Sequence, residues 1–339
     1  MRKRGFGVRR RLALASALSG FVIVMTASEL GALTRPMSYP TYSQIQGQLA
    51  LSARQNNIPD GEILPGIGVS MSVDFLMPHP RWSECAVVGS SIEITATTIA
   101  HCTFGDRSAS TTIGIYGDSN AAMWAPAFDI YGALQHRRII VLAHMGCTTW
   151  PRPWIKSYST SASAISERDC AQWRRNVLSA FRKAHADFVL PVSIDTSGVH
   201  DVMTTTKLTK SLSANFDQIR RYSLAPFALN PVPRYTFKTD YLNCISANPT
   251  SLRRCMIETN AVGANRLNRA FSSATQSRSV PMVATTDLFC ARLRCPIFLA
   301  WEGRNIQIHR DGQHITAAYA QLVSAALAPR ITTALSQAR

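Results

Sequence analysis

Two short stretches carry side chains that could do chemistry together. The first is "IGIYGDSNAAMW", where Gly117-Asp118-Ser119 follows an apolar run and precedes a helix-like segment. A serine at such a strand-to-helix turn points its hydroxyl off the carboxyl edge of a sheet, where open α/β folds place their ligands. Its own N–H starts the helix and can stabilise negative charge growing on a carbonyl oxygen. The second is "HRDGQHIT", in which Asp311 and His314 stand three apart. That spacing sets both on one side of a turn. A histidine can take the serine proton, and an aspartate beside it can orient and stabilise the imidazolium. Each motif alone also reads blandly: Gly-Asp-Ser as a turn, Asp311 as a helix cap with a surface histidine beyond it. The pair together predicts covalent acyl chemistry on Ser119.

Elements must exist to hold them. "TTIGIY", "RRIIVLAHMGC" and "ADFVLPVSID" read as buried strands. Between them, "NAAMWAPAFDIYGAL" reads as a helix despite Pro126. "DCAQWRRNVLSAFRKA" places Trp173, Val177, Leu178 and Phe181 on one helical face. Strand alternating with helix predicts an α/β domain, a parallel central sheet covered on both faces. Further on, "TTTKLTKSLSANFDQIRRYS", "SLRRCMIETNAVGANRLNRAFSSATQ" and the closing "GQHITAAYAQLVSAALAPRITTAL" read as helices. "LAPFALNPVPR" reads as a strand entering a proline-rich loop, "SVPMVATTDLFC" as a strand then a loop, and "ECAVVGSSIEITATTIAHCTFGD" as β-rich. Trp150 and Trp154 fall on the loop after the second strand. They read as packing residues, with stacking against an acceptor as the other option. His309 could line the cleft.

The ends read differently. Residues 1–11 hold six cations and no acid, and run into the apolar "LALASALSGFVIVM". That predicts an export signal or membrane anchor over 1–33, with the rest of the chain outside the cytoplasm. Residues 34–80, rich in Pro, Ser and Gln, read as a linker with one short helix at "YSQIQGQLALSARQN" and a turn at "IPDGEILPGI". The domain proper is expected over 81–335. Net charge is +16, so +10 remains after the first eleven residues. The remaining cations form no stripe interleaved with aromatics, which excludes a nucleic-acid module. They suit a surface facing anionic envelope polymers or lipid headgroups.

All eight cysteines lie beyond the apolar segment. An even count in an exported chain implies disulfides. Eight allow 105 pairings. Joining nearest neighbours closes four local loops: Cys85–Cys102, Cys147–Cys170, Cys244–Cys255 and Cys290–Cys295. No spacing suits zinc, and no metal or cofactor is expected.

With these residues in view, the chain resembles the SGNH (GDSL-type) serine esterases. More narrowly, it resembles the SGNH domain fused to the membrane acyltransferase-3 domain in bacterial glycan O-acetyltransferases. Cys85, "MGC…CAQW", "LNPVPRY…NCIS…LRRC" and "DLFCARLRCP…HRDGQHIT" carry the likeness across residues 42 to 330. The resemblance implies a three-layer α/β/α, flavodoxin-like fold. It implies a triad of Ser119, Asp311 and His314, with the oxyanion held by Ser119 and Gly146 N–H groups. Asn120 stands where the fused domains commonly have histidine. The third strand ends in "PVSIDTSG", without the G-x-N-D that supplies an oxyanion donor in simple esterases; Ser193, Asp195 or Thr196 falls there instead. One apolar segment is read, not a bundle of about ten. The expected function is therefore extracytoplasmic acetyl (acyl) transfer to, or removal from, envelope-glycan hydroxyls. A separate membrane acyltransferase is the expected partner of a transferase. A non-catalytic glycan-binding or assembly protein on the same scaffold is the alternative.

Overall fold

The computed structural model describes residues 38–57, 62–64, 81–87, 89–151, 157–160, 163–193, 204–233, 238–248, 250–258, 266–292, 294–312 and 314–339. The segment expected to be a signal or anchor, residues 1–33, lies outside them. Among the described residues no helix is long and apolar enough to cross a membrane.

The elements that matter here are, in order, α1 (Tyr42–Ser52), β1 (Glu62–Leu64), β2 (Ala86–Val87), α2 (Ala96–His101), β3 (Thr103–Gly105), β4 (Thr112–Gly117), α3 (Ser119–Leu134) and β5 (Arg138–His144). Then come α4 (Glu167–Lys183), β6 (Phe188–Val192), α5 (Thr205–Arg221), β7 (Ala225–Pro226) and β8 (Ala228–Leu229). Last are α6 (Arg266–Ser277), β9 (Met282–Val283), β10 (Phe298–Trp301), β11 (Arg304–Gln307) and α7 (Ala317–Gln337).

The central sheet runs β2-β5-β4-β6-β7 with every neighbour parallel, and β3 adds to β5 antiparallel. The two strands at its heart are apolar at nearly every position because both faces are covered. All six residues of β4 and all five of β6 are buried. Successive side chains alternate between the faces. Tyr116 points to the α4 side, edge-on to Phe181, with its hydroxyl donating to Asn215 Oδ1 of α5 at 2.6 Å. The other face is covered by α3, packed against α7. α3 is buried from Asn120 to Phe128, as a helix wedged between sheet and helix must be.

α4 turns Trp173, Val177, Leu178 and Phe181 inward, the face its spacing predicts. Ser166 Oγ caps it by accepting from Asp169 N at 3.1 Å. Four disulfides join Cys85–Cys102, Cys147–Cys170, Cys244–Cys255 and Cys290–Cys295.

Three stretches depart from the sequence reading. Residues 38–57, read as part of a linker over 34–80, belong to the same compact unit as the described residues that follow. Ile45 and Leu49, four apart on α1, are fully buried. Tyr42 donates to Asp287 Oδ2 at 2.8 Å, and Arg330 lies over the Tyr42 ring while pairing with Asp287 at 2.6 Å. The turn-like "EIL" is β1, parallel to β11. The stretch read as β-rich contains α2, because Thr95 and Thr98 cap each other's backbone N–H groups and start a helix. The long helix expected from 251 to 276 is a 3₁₀ turn (Leu252–Cys255), a two-residue strand (Ile257–Glu258) and α6.

Candidate active site

The nucleophile candidate sits where the chain leaves β4. Gly117 has φ +154°, and a Cβ there would lie 1.6 Å from the Val192 carbonyl oxygen of β6. Only glycine lets the two strand ends close to this distance. Asp118 caps α3, its carboxylate accepting from Asn120 N at 2.8 Å and from the Asn120 side-chain amide at 2.9 Å. Asn120 is thus buried and turned onto Asp118. Ser119 is the first residue of α3 and half-buried, with its N–H among the first-turn amides that the helix itself leaves without acceptors.

The second motif hangs between β11 and α7. His309 and Ile315 bridge antiparallel, Arg310 N donates to His314 O at 2.9 Å, and Thr316 N donates to Ile308 O at 3.0 Å. Thr316, not Asp311, caps the last helix, accepting from Tyr319 N at 3.1 Å. Asp311 is thereby left for the histidine. Its Oδ1 accepts from His314 N at 2.7 Å, and its Oδ2 lies 2.8 Å from His314 Nδ1. His314 Nε2 lies 2.7 Å from Ser119 Oγ. His314 is buried, and Asp311 keeps one edge in solvent. The buried Arg310 guanidinium lies 3.8 Å from Asp311 Oδ2. The three residues read from the sequence therefore form one continuous Ser–His–Asp relay.

His309 is behind the cleft rather than on its wall. It is 1% exposed, and its Nε2 donates to Pro233 O at 2.8 Å. Burial pushes its pKa down to about 4, against the backbone bond that favours the charged form.

Gly146 follows β5 with φ +82°, in the turn closed by Cys147 N donating to His144 O at 3.0 Å. β5 neighbours β4 in register, Ala143 beside Gly117, so this turn stands at the same sheet edge as Ser119. Two devices fix the segment after it. Cys147–Cys170 ties it to the first turn of α4. Arg174, buried, donates to Thr148 O at 3.0 Å and Trp150 O at 3.4 Å, and pairs with Glu167 at 2.5 Å.

The end of β6 contributes a residue that motif reading could place only as one of three. Ser193 is buried, and its Oγ accepts from Thr149 N at 3.0 Å and from Asp118 N at 3.4 Å. One hydroxyl thus joins the segments after β4, β5 and β6. Asp195 and Thr196 lie outside the described residues. Trp150 is a packing residue, 1% exposed and edge-on to Phe271. Trp154 lies outside the described residues. Among the described residues no cluster of three His, Cys, Asp or Glu side chains could hold a metal.

Residues 85–329 match the family model described as the SGNH domain (fused to AT3 domains). No curated protein matches the chain. Among solved structures, the periplasmic domain of the Salmonella ser. Paratyphi A lipopolysaccharide acetyltransferase is similar at a TM-score of 0.57 and 15% identity, covering 78% of this chain and 98% of that one. A GDSL-like lipase from Bacteroides thetaiotaomicron (TM-score 0.38, 11% identity, 68% of this chain and 89% of that one) and an acetyl xylan esterase from Geobacillus stearothermophilus (0.38, 15%, 67% and 96%) are more distant. The periplasmic domain shares the fold, and the family match covers well over half of the chain. By that match, this chain belongs to the family of SGNH domains found fused to AT3 domains.

Proposed function

We propose that this protein transfers or removes acyl groups, acetyl above all, on hydroxyls of cell-envelope glycans outside the cytoplasm. Family and fold support acyl transfer or hydrolysis in general. The observation that carries the covalent reading on Ser119 is the relay of 2.7 Å from Ser119 Oγ to His314 Nε2 and 2.8 Å from His314 Nδ1 to Asp311.

In this reading Ser119 Oγ attacks the acyl carbonyl carbon and its proton passes to His314 Nε2. Asp311 holds the Nδ1–H and stabilises the imidazolium. The oxyanion is held by the Ser119 and Gly146 N–H groups. His314 then protonates the leaving oxygen or sulfur, and an acyl-serine remains. A water or a sugar hydroxyl, deprotonated by the same Nε2, attacks the acyl-serine and frees Ser119. Envelope location is supported by the four disulfides, which persist in oxidising compartments, and by the cationic and apolar N-terminal sequence. A transferase would draw its acyl group from a membrane acyltransferase acting as a separate partner, the pairing that the family's fusion suggests.

A fluorophosphonate probe should label the full chain at Ser119 and leave Ser119→Ala unlabelled. Turnover of p-nitrophenyl acetate with and without an envelope-glycan fraction then separates transfer from hydrolysis by whether acetyl appears on sugar. Absence of labelling on a folded protein would favour the non-catalytic glycan-binding or assembly role.

A further inference from the structure

Gly146 belongs to a turn whose shape decides where its N–H points. Cys147 N donates to His144 O at 3.0 Å, so residues 144 to 147 close a turn. Gly146, third in it, has φ +82°. Positive φ at that position marks a type II turn. Types I and II differ chiefly in a rotation of the central peptide, here Met145–Gly146, by roughly half a revolution. That rotation carries the Gly146 N–H from one side of the turn to the other and leaves the closing hydrogen bond in place. Glycine permits both settings, so the backbone alone does not choose between them.

The ring of His144 meets that peptide. Its Nδ1 lies 3.1 Å from Met145 O, and its Nε2 lies 3.1 Å from Ser91 O. The side chain is fully buried and stands edge-on to Trp173 of α4, with ring centroids 5.5 Å apart. The pleat of β5 explains which side it takes. Leu142 pairs with Tyr116, whose ring also packs on Trp173, and His144, two residues on, shares that face. The segment at Ser91 is tied to the same helix, since Asn176 of α4 donates from its amide to Ile92 O at 2.8 Å. Close packing on this side holds the ring in its place.

A trans peptide points its C=O and its N–H in opposite directions. A carbonyl drawn to a ring on the α4 face therefore sends the Gly146 N–H toward the other face. α3 covers that other face, and α3 begins at Ser119. A hydrogen bond to the carbonyl also polarises the peptide and makes its N–H a stronger donor. We propose that His144 is a positioning residue, whose Nδ1–H holds the Met145 carbonyl and so keeps the Gly146 N–H turned toward the acyl oxygen on Ser119. This role rests on the acyl reading of Ser119 given above. Burial pushes the His144 pKa down, against the backbone bonds that favour the charged form, so the ring is neutral at pH 7. A neutral ring carries hydrogen on one nitrogen only, and can serve Met145 O or Ser91 O but not both. The positioning role requires that hydrogen on Nδ1.

Amide side chains separate the two nitrogens. Asparagine sets its NH₂ where the ring has Nδ1, and glutamine sets its own where the ring has Nε2. The test uses the full chain, wild type beside His144→Asn, His144→Gln and His144→Phe, with steady-state turnover of p-nitrophenyl acetate. His144→Gln and His144→Phe should lose ~10-fold or more in kcat with KM nearly unchanged, because a misdirected oxyanion donor fails in the transition state. His144→Asn should stay within about three-fold of wild type, since it keeps the bond to Met145 O. Proton–nitrogen correlation spectra of wild type with isotope-labelled histidine, assigned through the residue's own backbone amide, should show His144 as the Nδ1–H tautomer. An Nε2–H tautomer, rescue by glutamine in place of asparagine, equal loss in all three variants, or wild-type kcat in all three would overturn the role. If the variants do not fold, the wild-type tautomer decides. A wild type that takes no fluorophosphonate label at Ser119 sinks the acyl reading and this role with it. A labelled, active wild type beside any of the overturning outcomes sinks the role alone.

Discussion

Replacing Gly117 by alanine tests the geometry that delivers Ser119. The added Cβ would lie 1.6 Å from the Val192 carbonyl oxygen, where 3.0 Å is the least that real contacts tolerate, so something must move by about 1.4 Å. The obstacle is the backbone at the end of β6, which pairs with β4 at Val192 itself and with β7 further back at Phe188 and Val189, and no side chain can swing aside. The positive φ adds strain that only glycine escapes. Overpacking costs ~1–3 kcal/mol and a disfavoured backbone conformation another ~1–3. The sum, roughly 2–6 kcal/mol, is a large part of a typical domain stability of about 5–15. The gentlest relaxation parts β4 from β6 and carries Ser119 with it. A displacement near 1 Å at a reacting group lowers rate on the order of 100-fold. Urea unfolding and p-nitrophenyl acetate turnover should therefore both fall. Gly47→Ala is the control: it lies within α1, nothing is within 4 Å of its Cβ, and alanine should raise stability by up to ~1 kcal/mol without touching turnover. Wild-type turnover and midpoint for Gly117→Ala would refute the claim that this close approach places the nucleophile.

Ser119→Ala and His314→Ala should each abolish ester turnover, Asp311→Asn should cost less or comparably, and the triple variant should be little worse than Ser119→Ala, because the three act as one unit; simple addition of the single losses would remove the assignment. Turnover should rise with pH as the imidazole becomes neutral, since only that form accepts the serine proton; a flat profile would argue against a histidine base. Ser193→Ala removes the Oγ that accepts from Thr149 N at 3.0 Å and from Asp118 N at 3.4 Å and should cost ~1–3 kcal/mol in urea unfolding, with a matching loss of turnover that Ser193→Thr partly restores. Replacing the Cys147–Cys170 pair should cost roughly 3 kcal/mol by loop entropy and lower turnover, whereas replacing Cys290–Cys295, which closes a much shorter loop, should cost about 2 and leave turnover unchanged. His309 has a folded pKa of about 4 against an ordinary 6.5, so the unfolded chain takes up its proton first on acidification. Its contribution is complete above pH 6.5 and is lost progressively as pH falls toward 4, by roughly 3 kcal/mol. His309→Gln should flatten that acid limb in denaturation midpoints taken between pH 7 and pH 4.5.

The parts of the site legible in the sequence are those whose signal is local. β4, β5 and β6 are buried on both faces, so each reads as an unbroken apolar run. The Gly-Asp-Ser turn and the Asp-x-x-His loop carry their chemistry within a few residues. What was hidden depends on distant partners. Ile45 and Leu49 are two of a few apolar residues in a polar-looking stretch, and they acquire meaning when Tyr42 meets Asp287 and Arg330 from the far end of the chain. The Thr-rich run before Cys102 favours strand by composition, and reciprocal capping by Thr95 and Thr98 overrides it. Trp150 reads as a packing residue on a loop, but the surface it packs against has no signal near it in the sequence. Its burial against Phe271 of α6 arises from a helix more than a hundred residues later.

Ser193 shows why the departure from G-x-N-D misleads when read as a missing part. An asparagine motif is sought as a donor to the oxyanion, but the hydroxyl here accepts, from Asp118 N and Thr149 N. The loss of the motif therefore changes what the β6 end does: it fixes the peptide before the nucleophile and the loop after Gly146 relative to each other. The same loop is also pinned by Cys147–Cys170 and by the buried Arg174. Three independent restraints meet on one loop next to the nucleophile. They are what a site needs if the Gly146 N–H must already be in place when charge develops, because donors held before the reaction cost no reorganisation during it. On this reasoning, loosening any one restraint should lower kcat more than it raises KM for a small acetyl ester. A change confined to KM would mean the loop shapes substrate binding and not the oxyanion.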